Sequence, residues 1–583
     1  MNSSGSMPGP KPSSSDRLAA RVGGHSHRWP PGGQLPAVAV TGLLLAVPAI
    51  FLCLFFIYPL QGILRESFFG QGASLSDLSP LVTDPYFAQR AWFTLWEAAA
   101  STVLTLLISL PCAYVFARHE FPGKSIVLAI VTVPFVMPTI VVAVAFTALT
   151  GPQGVANSAL QWLFRLNAPP IALVNTVWII LAAHVFYNFG MAARIIAAGW
   201  AGLDERIDDA AKMLGAGRVE RFFRVTLPRL RPAILAASSL VFLFCFTSFG
   251  VVLVLGGPQF NTIETEIYRE TAFLFRLPLA AALALLQLLF TFLVMGVYTH
   301  FQARAASTGN VVQRRREHTR GETVFATVVM MAALSVVLVP VGALVERSFH
   351  GAAGYTFAFY QALGENVSGR AIFTTPRAAI GHSLGFALLT LACSVPIGTL
   401  GAYGALRFKH HGAWVEALLL MPLGVSAITL ALGFIITLDR PPLDIRGSWW
   451  LLVIAHTLIA YPFVTRAVGV PLRTMDRHLR EAARMLGAGP LRVFLTIDLP
   501  LIWRSLVVGG VFAFATSMGE FGATLLIARP EWTTLPIAIY RYFGRPGSLN
   551  YGEGLAMSVV LMGVTAAGFL VIDRVRVRGL GVF

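Results

Sequence analysis

Charge is scarce in this chain. Asp, Glu, Lys and Arg make up 12% of its 583 residues, while 56% are hydrophobic and the mean hydropathy is +0.70. A soluble domain carries about a quarter charged residues, so a soluble globular protein is excluded. Disorder is excluded for most of the length as well, because disorder needs low hydrophobicity. Cysteine is equally sparse. Cys53, Cys112, Cys245 and Cys393 all lie in apolar runs and none forms a CxxC pair, which argues against a disulfide framework or a metal site. HExxH, GxSxG and paired intramembrane aspartates are missing, so an intramembrane enzyme is disfavoured. Gly123-Lys124-Ser125 looks like the end of a phosphate-binding loop, but that loop needs a glycine where Arg118 stands, and no strand precedes it. The chain therefore reads as having no ATPase activity of its own and no bound cofactor.

What is present is a series of long apolar runs. A spanning helix needs about 20 apolar residues, and twelve runs qualify: 37–64, 92–117, 125–149, 171–196, 233–256 and 279–301, then 323–345, 382–406, 413–437, 449–470, 502–528 and 553–574. No small-residue cleavage site follows the first run, which reads as a helix rather than a signal peptide. With the N-terminus inside, 31 of the 44 Lys and Arg residues fall on the inner side and 13 on the outer. This excess predicts a multi-pass protein with both termini cytoplasmic. It also accounts for the net charge of +16 without invoking nucleic acid. Residues 1–36 read as a disordered cytoplasmic tail and 576–583 as a short C-terminal one.

The chain is one unit written twice. Asp209-Ala-Ala-Lys-Met-Leu-Gly215-Ala-Gly217 matches Glu481-Ala-Ala-Arg-Met-Leu-Gly487-Ala-Gly489 at an offset of 272 residues. At the same offset His184 and Arg194 match His456 and Arg466, Leu227-Pro228 matches Leu499-Pro500, and Phe249-Gly250 matches Phe521-Gly522. Pro59 and Ser67 match Pro340 and Ser348 at 281, so a small indel lies between. Two six-span units of equal orientation follow, 37–301 and 323–575. A basic cytoplasmic linker, 302–322, joins them, and a pseudo-two-fold axis along the membrane normal relates them.

Each unit places the repeated segment in the large loop between its fourth and fifth spans, 204–228 and 476–500. Acid-Ala-Ala-basic-Met-Leu is rich in strong helix formers, and Gly215 and Gly487 stand where a glycine ends a helix. Small residues make one face flat enough for close approach. The acid, expected near the helix start, suits the helix dipole and can pair with a partner's Arg. Pro228 and Pro500 are expected where the next span begins.

This pattern resembles the EAA loop of the permease subunits of binding-protein-dependent ABC importers, and Ser517-Met-Gly519-Glu520-Phe521-Gly522-Ala-Thr524 resembles the fifth-span signature of their type I group. The resemblance implies an all-α integral membrane fold of two tandem type I permease domains in the bacterial cytoplasmic (inner) membrane. It further implies two ATP-binding cassette subunits carrying ATP and magnesium, an extracytoplasmic substrate-binding protein and alternating access. Asp209, Ala210, Ala211, Gly215, Glu481, Ala482, Ala483 and Gly487 would form the ATPase-coupling helices. Asp209 replaces the usual Glu, which hints that the two docking sites differ. The third to fifth and ninth to eleventh spans would form the moving core.

Fused twelve-span permeases of this type resemble thiamine and ferric-iron importers. His184-Val-Phe-Tyr-Asn188 with Met191-Ala-Ala-Arg194, and the stretch Phe244 to Tyr268, lean to thiamine or its phosphates, with ferric iron as the alternative. Thiamine, a cationic aromatic, would suit aromatics or an acid. The acids Glu264, Glu266 and Glu270 of an outer loop could serve either substrate or merely keep the outside non-basic.

Intramembrane polar residues are functional candidates by default. Glu520 either lines the path, latching the gate against the first half where Ser248 is its counterpart, or pairs within the bundle. Ser248, Phe249, Glu520, Phe521, His184 and His456 are the candidate path or gate residues, although the symmetry of the two histidines points to equivalent structural positions. Glu97 is expected to reach the outer interface, and His410-His411 to be solvated. Pro134, Pro138 and Pro422 can break the third and ninth spans. An ion-coupled secondary transporter is the alternative outside this class. It would need ionisable relays in the membrane and no docking loops.

Overall fold

A computed structural model describes residues 37–69, 79–306, 319–351, 354–364, 374–407, 412–439, 441 and 443–575. Arg314–Arg316, His410-His411 and both tails lie outside these residues. Among the described residues eleven helices are long and apolar enough to cross a membrane: Leu45–Phe69, Pro85–Arg118, Thr139–Phe164, Val177–Ala201, Val219–Phe246, Leu277–Phe301, Arg320–Phe349, Pro376–Leu406, Trp450–Thr474, Pro490–Gly519 and Ser548–Leu570. A twelfth span consists of two pieces, Trp414–Gly424 and Ala427–Thr437, bent by 93°. The all-helical, duplicated architecture read from the sequence is thus present.

The third span, expected over 125–149, is interrupted. A short apolar helix, Lys124–Val136, precedes a break, the chain resumes over Thr139–Thr150, and after a turn a further helix, Val155–Phe164, follows. Proline is the cause. Pro134 forces a tight turn over Val133–Val136, and Pro138 sits extended (φ −57°, ψ 136°) just before the new helix. In the second half Pro422 does the same over Met421–Gly424, and Ser426 then caps the next helix by accepting the Thr429 N–H at 3.0 Å.

Pro228 and Pro500 do not mark the start of a span, as the spacing suggests. The helices begin at Val219 and Pro490 and pass through a wide turn, Phe222–Thr226 and Phe494–Asp498, immediately before each Leu-Pro pair. That wide turn accommodates the missing proline N–H without ending the helix.

The first spans are exchanged between halves. The first span packs on the eighth and ninth, and the seventh packs on the second and third. The contact is close at its glycines. An added Cβ at Gly433 would lie 2.9 Å from Pro59 Cβ, and one at Gly62 would overlap the Thr437 methyl at 2.0 Å. Gly433→Ala should therefore destabilise the protein by about 1–3 kcal/mol, the usual cost of overpacking. Gly342→Ala, with nothing within 4 Å, should be neutral or stabilising. Thermal unfolding of the two purified variants measures the difference; equal melting temperatures would rule out tight seating of the first span.

Candidate functional site

Two regions concentrate the unusual geometry. The first is the pair of loop helices Glu205–Met213 and Arg477–Met485. Each is capped by an aspartate one residue earlier: Asp204 accepts the Arg206 N–H and Asp476 the His478 N–H, both at 3.0 Å. Asp209 and Glu481 consequently fall in the middle of their helices, not at the start, with Ala210-Ala211 and Ala482-Ala483 just after them. Both helices end in a Schellman turn. The Gly215 N–H bonds the Lys212 carbonyl (3.0 Å) and the Ala216 N–H the Ala211 carbonyl (3.1 Å). Gly487 and Ala488 repeat this on Arg484 and Ala483 (2.9 and 3.0 Å). The turn needs positive φ, which Gly215 (84°) and Gly487 (83°) supply. It leaves Met213, Leu214, Met485 and Leu486 at 88%, 88%, 88% and 89% exposure. Two equivalent apolar knobs on otherwise polar helices suit a protein partner.

Each loop helix is also tied to the foot of the next span. Arg221 Nε lies 3.2 Å from Asp208 Oδ1, and Arg480 Nε lies 2.8 Å from Asp498 Oδ1. At the 272-residue offset Asp208 corresponds to Arg480, so the same helix position makes the tie with opposite sign.

The second region lies where the fifth and eleventh spans break. The fifth stops at Phe246 and resumes over Gly250–Leu255; the eleventh stops at Gly519 and resumes over Gly522–Ile527. Ser248-Phe249 and Glu520-Phe521 occupy the two breaks. Across the pseudo-two-fold axis Phe249 and Phe521 stack, with ring centroids 5.8 Å apart and planes at 28°. Tyr268 sets its edge on Phe249 (5.4 Å) and Tyr540 on Phe521 (5.5 Å), so four rings close the axis symmetrically. Glycine admits the approach: a Cβ on Gly250 would come to 3.2 Å of Phe521, and one on Gly522 to 3.5 Å of Phe249.

At each break a buried polar cluster forms within its own half, and in the eleventh span it holds the freed backbone. Glu520 accepts the N–H groups of Ala523 (2.8 Å) and Thr524 (2.9 Å) and the Thr524 hydroxyl, and lies 3.5 Å from His456 Nε2. His456 also meets Ser517 at 2.8 Å and Thr524 at 2.9 Å. In the first half His184 Nε2 lies 2.8 Å from Ser248 Oγ, while its Nδ1 is 2.6 Å from Glu97 Oε1. Glu97 is fully buried and also accepts the Ser101 hydroxyl at 2.6 Å, so it does not reach the interface as expected.

Each half thus holds one buried histidine–carboxylate pair, but the carboxylate comes from different spans. Thr94 accepts the Ile263 N–H (3.0 Å) exactly where Ser383 accepts that of Leu535 (2.7 Å), and on that register Phe386 replaces Glu97. Sequence reasoning missed Glu97 because 87 residues separate it from His184 and its own half has no matching acid in the other.

Glu264, Glu266 and Glu270 are not in an exposed loop. They lie buried on a helix, Ile263–Ala272, between the fifth and sixth spans. Glu266 lies near Arg269 (3.4 Å) and accepts the Tyr86 hydroxyl; Glu270 pairs with Arg276 (2.8 Å). Burial pushes the Glu264 carboxyl up to about 7, against the side chains of Ser426 and Gln287 that face it.

The model of the binding-protein-dependent transport system inner membrane component family matches residues 106–307 and 394–577. The thiamine transport system permease protein ThiP of Brucella abortus (strain 2308) is 27% identical over 496 residues, 84% of this chain and 88% of that protein. ThiP of Escherichia coli (strain K12) is 26% identical over 566 residues, 94% of this chain and 98% of that protein. A probable ABC transporter permease protein of Sinorhizobium fredii, y4fN, is 25% identical over 510 residues, 83% and 87% of the two chains. Among solved structures, a bacterial alginate ABC transporter crystallised with its pentasaccharide-bound periplasmic protein has a chain 19% identical, with a TM-score of 0.39. The match covers 47% of this chain and 96% of that one.

Truncating Glu97 strands a buried imidazole. Glu97→Ala should cost about 3–5 kcal/mol, as loss of one member of a buried pair does. Glu97→Ala/His184→Ala should cost less than the two single changes summed. Thermal unfolding of the four proteins of this cycle gives the answer; strict additivity would mean the two groups do not interact.

Proposed function

The chain belongs to the family of binding-protein-dependent transport system inner membrane components, and from that premise we propose that it forms the substrate path of an importer for thiamine or thiamine phosphates. As a member it is a permease subunit of an ABC importer, a multi-pass inner membrane protein whose ATP hydrolysis belongs to partner subunits. The thiamine assignment draws on the names of relatives at 25–27% identity that match over most of the chain. These relatives lend no support to the ferric-iron alternative.

The observation that carries the mechanism is the pairing of two equivalent docking helices with one aromatic closure on the axis between the halves. In our reading, Asp209-Ala210-Ala211 to Gly215 and Glu481-Ala482-Ala483 to Gly487 seat in two ATP-binding cassette subunits, with Met213-Leu214 and Met485-Leu486 as the apolar contacts. The loops and both termini face the cytoplasm, as the charge asymmetry argues. From Leu227 the fifth span climbs 20 residues, about 30 Å, to the break at Ser248. Phe249 and Phe521 therefore close the path near the outer face. A loaded binding protein docks on that face. Closure of the ATPase dimer draws the docking helices together, and the stacked rings part to admit substrate. Hydrolysis returns the closed state. The linkage is reciprocal, so docking of the loaded binding protein favours the closed ATPase dimer.

Gly487→Asp tests the docking role. The position requires φ of 83° and faces open space, so the substitution strains the turn and sets a charge beside Leu486 without touching the membrane core. Uptake should fall at least tenfold and ATPase co-purification should weaken, with membrane insertion unchanged. Wild-type uptake would remove this loop from the coupling path. The substrate is tested by ATP hydrolysis in lipid with the ATPase and binding protein present. Thiamine should stimulate it several-fold and ferric iron should not; the reverse pattern would replace thiamine with iron.

A further inference from the structure

Several polar features near the axis come in symmetric pairs: His184 with His456, Thr94 with Ser383, Tyr268 with Tyr540. Glu97 and Glu520 do not, and neither does one further cluster. Gln287 on the sixth span and Ser426 just before Ala427–Thr437 both lie beside Glu264 on the Ile263–Ala272 helix, where elements of the first half pack on the second. At the 272-residue offset Glu264 and Gln287 correspond to Pro536 and Val559. In the register that aligns Pro134 with Pro422, Ser426 corresponds to Pro138. The three equivalent positions are thus apolar.

Glu264 and Gln287 are 1% and 2% exposed, and Glu264 Oε2 and both amide atoms of Gln287 have no hydrogen-bond partner. Glu266 and Glu270 have arginines beside them, whereas no cation pairs with Glu264 among the described residues. Leaving such groups buried and unsatisfied costs free energy, and a membrane protein retains intramembrane or buried ionisable groups chiefly for function. The cluster adjoins the aromatic closure. Tyr268 is one helical turn from Glu264 on the same face and rests on Phe249. A Cβ added at Gly522 would lie 3.3 Å from the Cβ of Ala427, next to Ser426, and 3.5 Å from Phe249.

We propose that Glu264, Gln287 and Ser426 form a one-sided subsite for the positive charge of an aromatic organic cation in transit, whose ring is received by Phe249, Phe521, Tyr268 and Tyr540. The carboxylate supplies the counter-charge, the unpartnered amide and the hydroxyl line the site beside it, and the rings add cation–π and stacking contacts once the Phe249–Phe521 stack parts. The subsite rests on the importer reading above and deepens it: it gives the path its own preference for a cation, in addition to whatever the binding protein selects.

The test uses the full complex with its ATPase in lipid nanodiscs, trapped with ATP and vanadate. Equilibrium binding is measured for thiamine, for the N-methylpyridinium ion and for neutral thiochrome. Glu264→Gln should weaken thiamine binding at least tenfold, Glu264→Asp should restore most of it, and Gln287→Val and Ser426→Ala should each weaken it several-fold. Thiochrome binding should be unaffected by Glu264→Gln. Equal thiamine affinity in wild type and Glu264→Gln overturns the subsite while leaving the thiamine reading intact, and so does a matching loss for thiochrome, which would signal structural damage. If wild type ignores thiamine but binds N-methylpyridinium in a Glu264-dependent way, the subsite stands and the thiamine reading falls. Binding of neither cation by wild type overturns the subsite.

Discussion

A backbone break inside a membrane protein is tolerated only where its freed N–H and C=O groups find partners away from lipid. The breaks in the fifth and eleventh spans impose that demand at the centre of this molecule, and much of the surrounding structure answers it. Glu520 satisfies two N–H groups of the short helix after the eleventh-span break, and His456 with Ser517 and Thr524 holds that region in place. In the first half the break carries Ser248, whose hydroxyl meets His184. His184 bridges it to Glu97 on the second span. The break turns Phe249 and Phe521 toward each other, so the chemistry that stabilises an interrupted helix also positions the closure on the axis.

Duplication explains why the halves share a frame, and divergence explains where they depart from it. The histidines keep their positions while the carboxylate has moved between spans. The tie from docking helix to span foot is kept while its charges have exchanged places, Asp208–Arg221 against Arg480–Asp498. In each case the interaction is preserved and the residue carrying it is not. A pairwise energy can be met from either partner's position, so such changes are tolerated provided both groups remain paired, since an unpaired buried charge is what costs most.

Much of this was legible in the sequence and some was not, for identifiable reasons. Span number and duplication follow from hydropathy and a 272-residue repeat, which are long-range averages that a few irregular residues do not disturb. The glycine-terminated loop helices follow from local propensity. Hydropathy cannot see the bend between the two apolar segments of the third span, but Pro134 and Pro138 marked the place. The early start of the fifth span was hidden because a proline normally opens a helix, and here a wide turn absorbs it. Glu97 and Glu264 were misplaced for a deeper reason. A carboxylate near a predicted boundary reads as interfacial unless its partner is known, and the partners come from spans and a helix far away in the chain.

These features also bear on how the two ends of the molecule communicate. Each loop helix is bonded to the foot of the span that follows it, and that span runs on without a stop to the break carrying Phe249 or Phe521. In the proposed mechanism a displacement at the loop would reach the stacked rings through one helix about 30 Å long, not through a chain of loosely packed side chains. The wide turns at Phe222–Thr226 and Phe494–Asp498 are the irregular points along that lever, and they lie at its base beside the ion pair. Flexure is thus placed where the loop joins the span, and the segment leading to the rings stays regular. Two such helices lead to one stacked pair on the axis. In the proposed mechanism, moving either would displace one ring and break the stack, while closing the path again would require both to return.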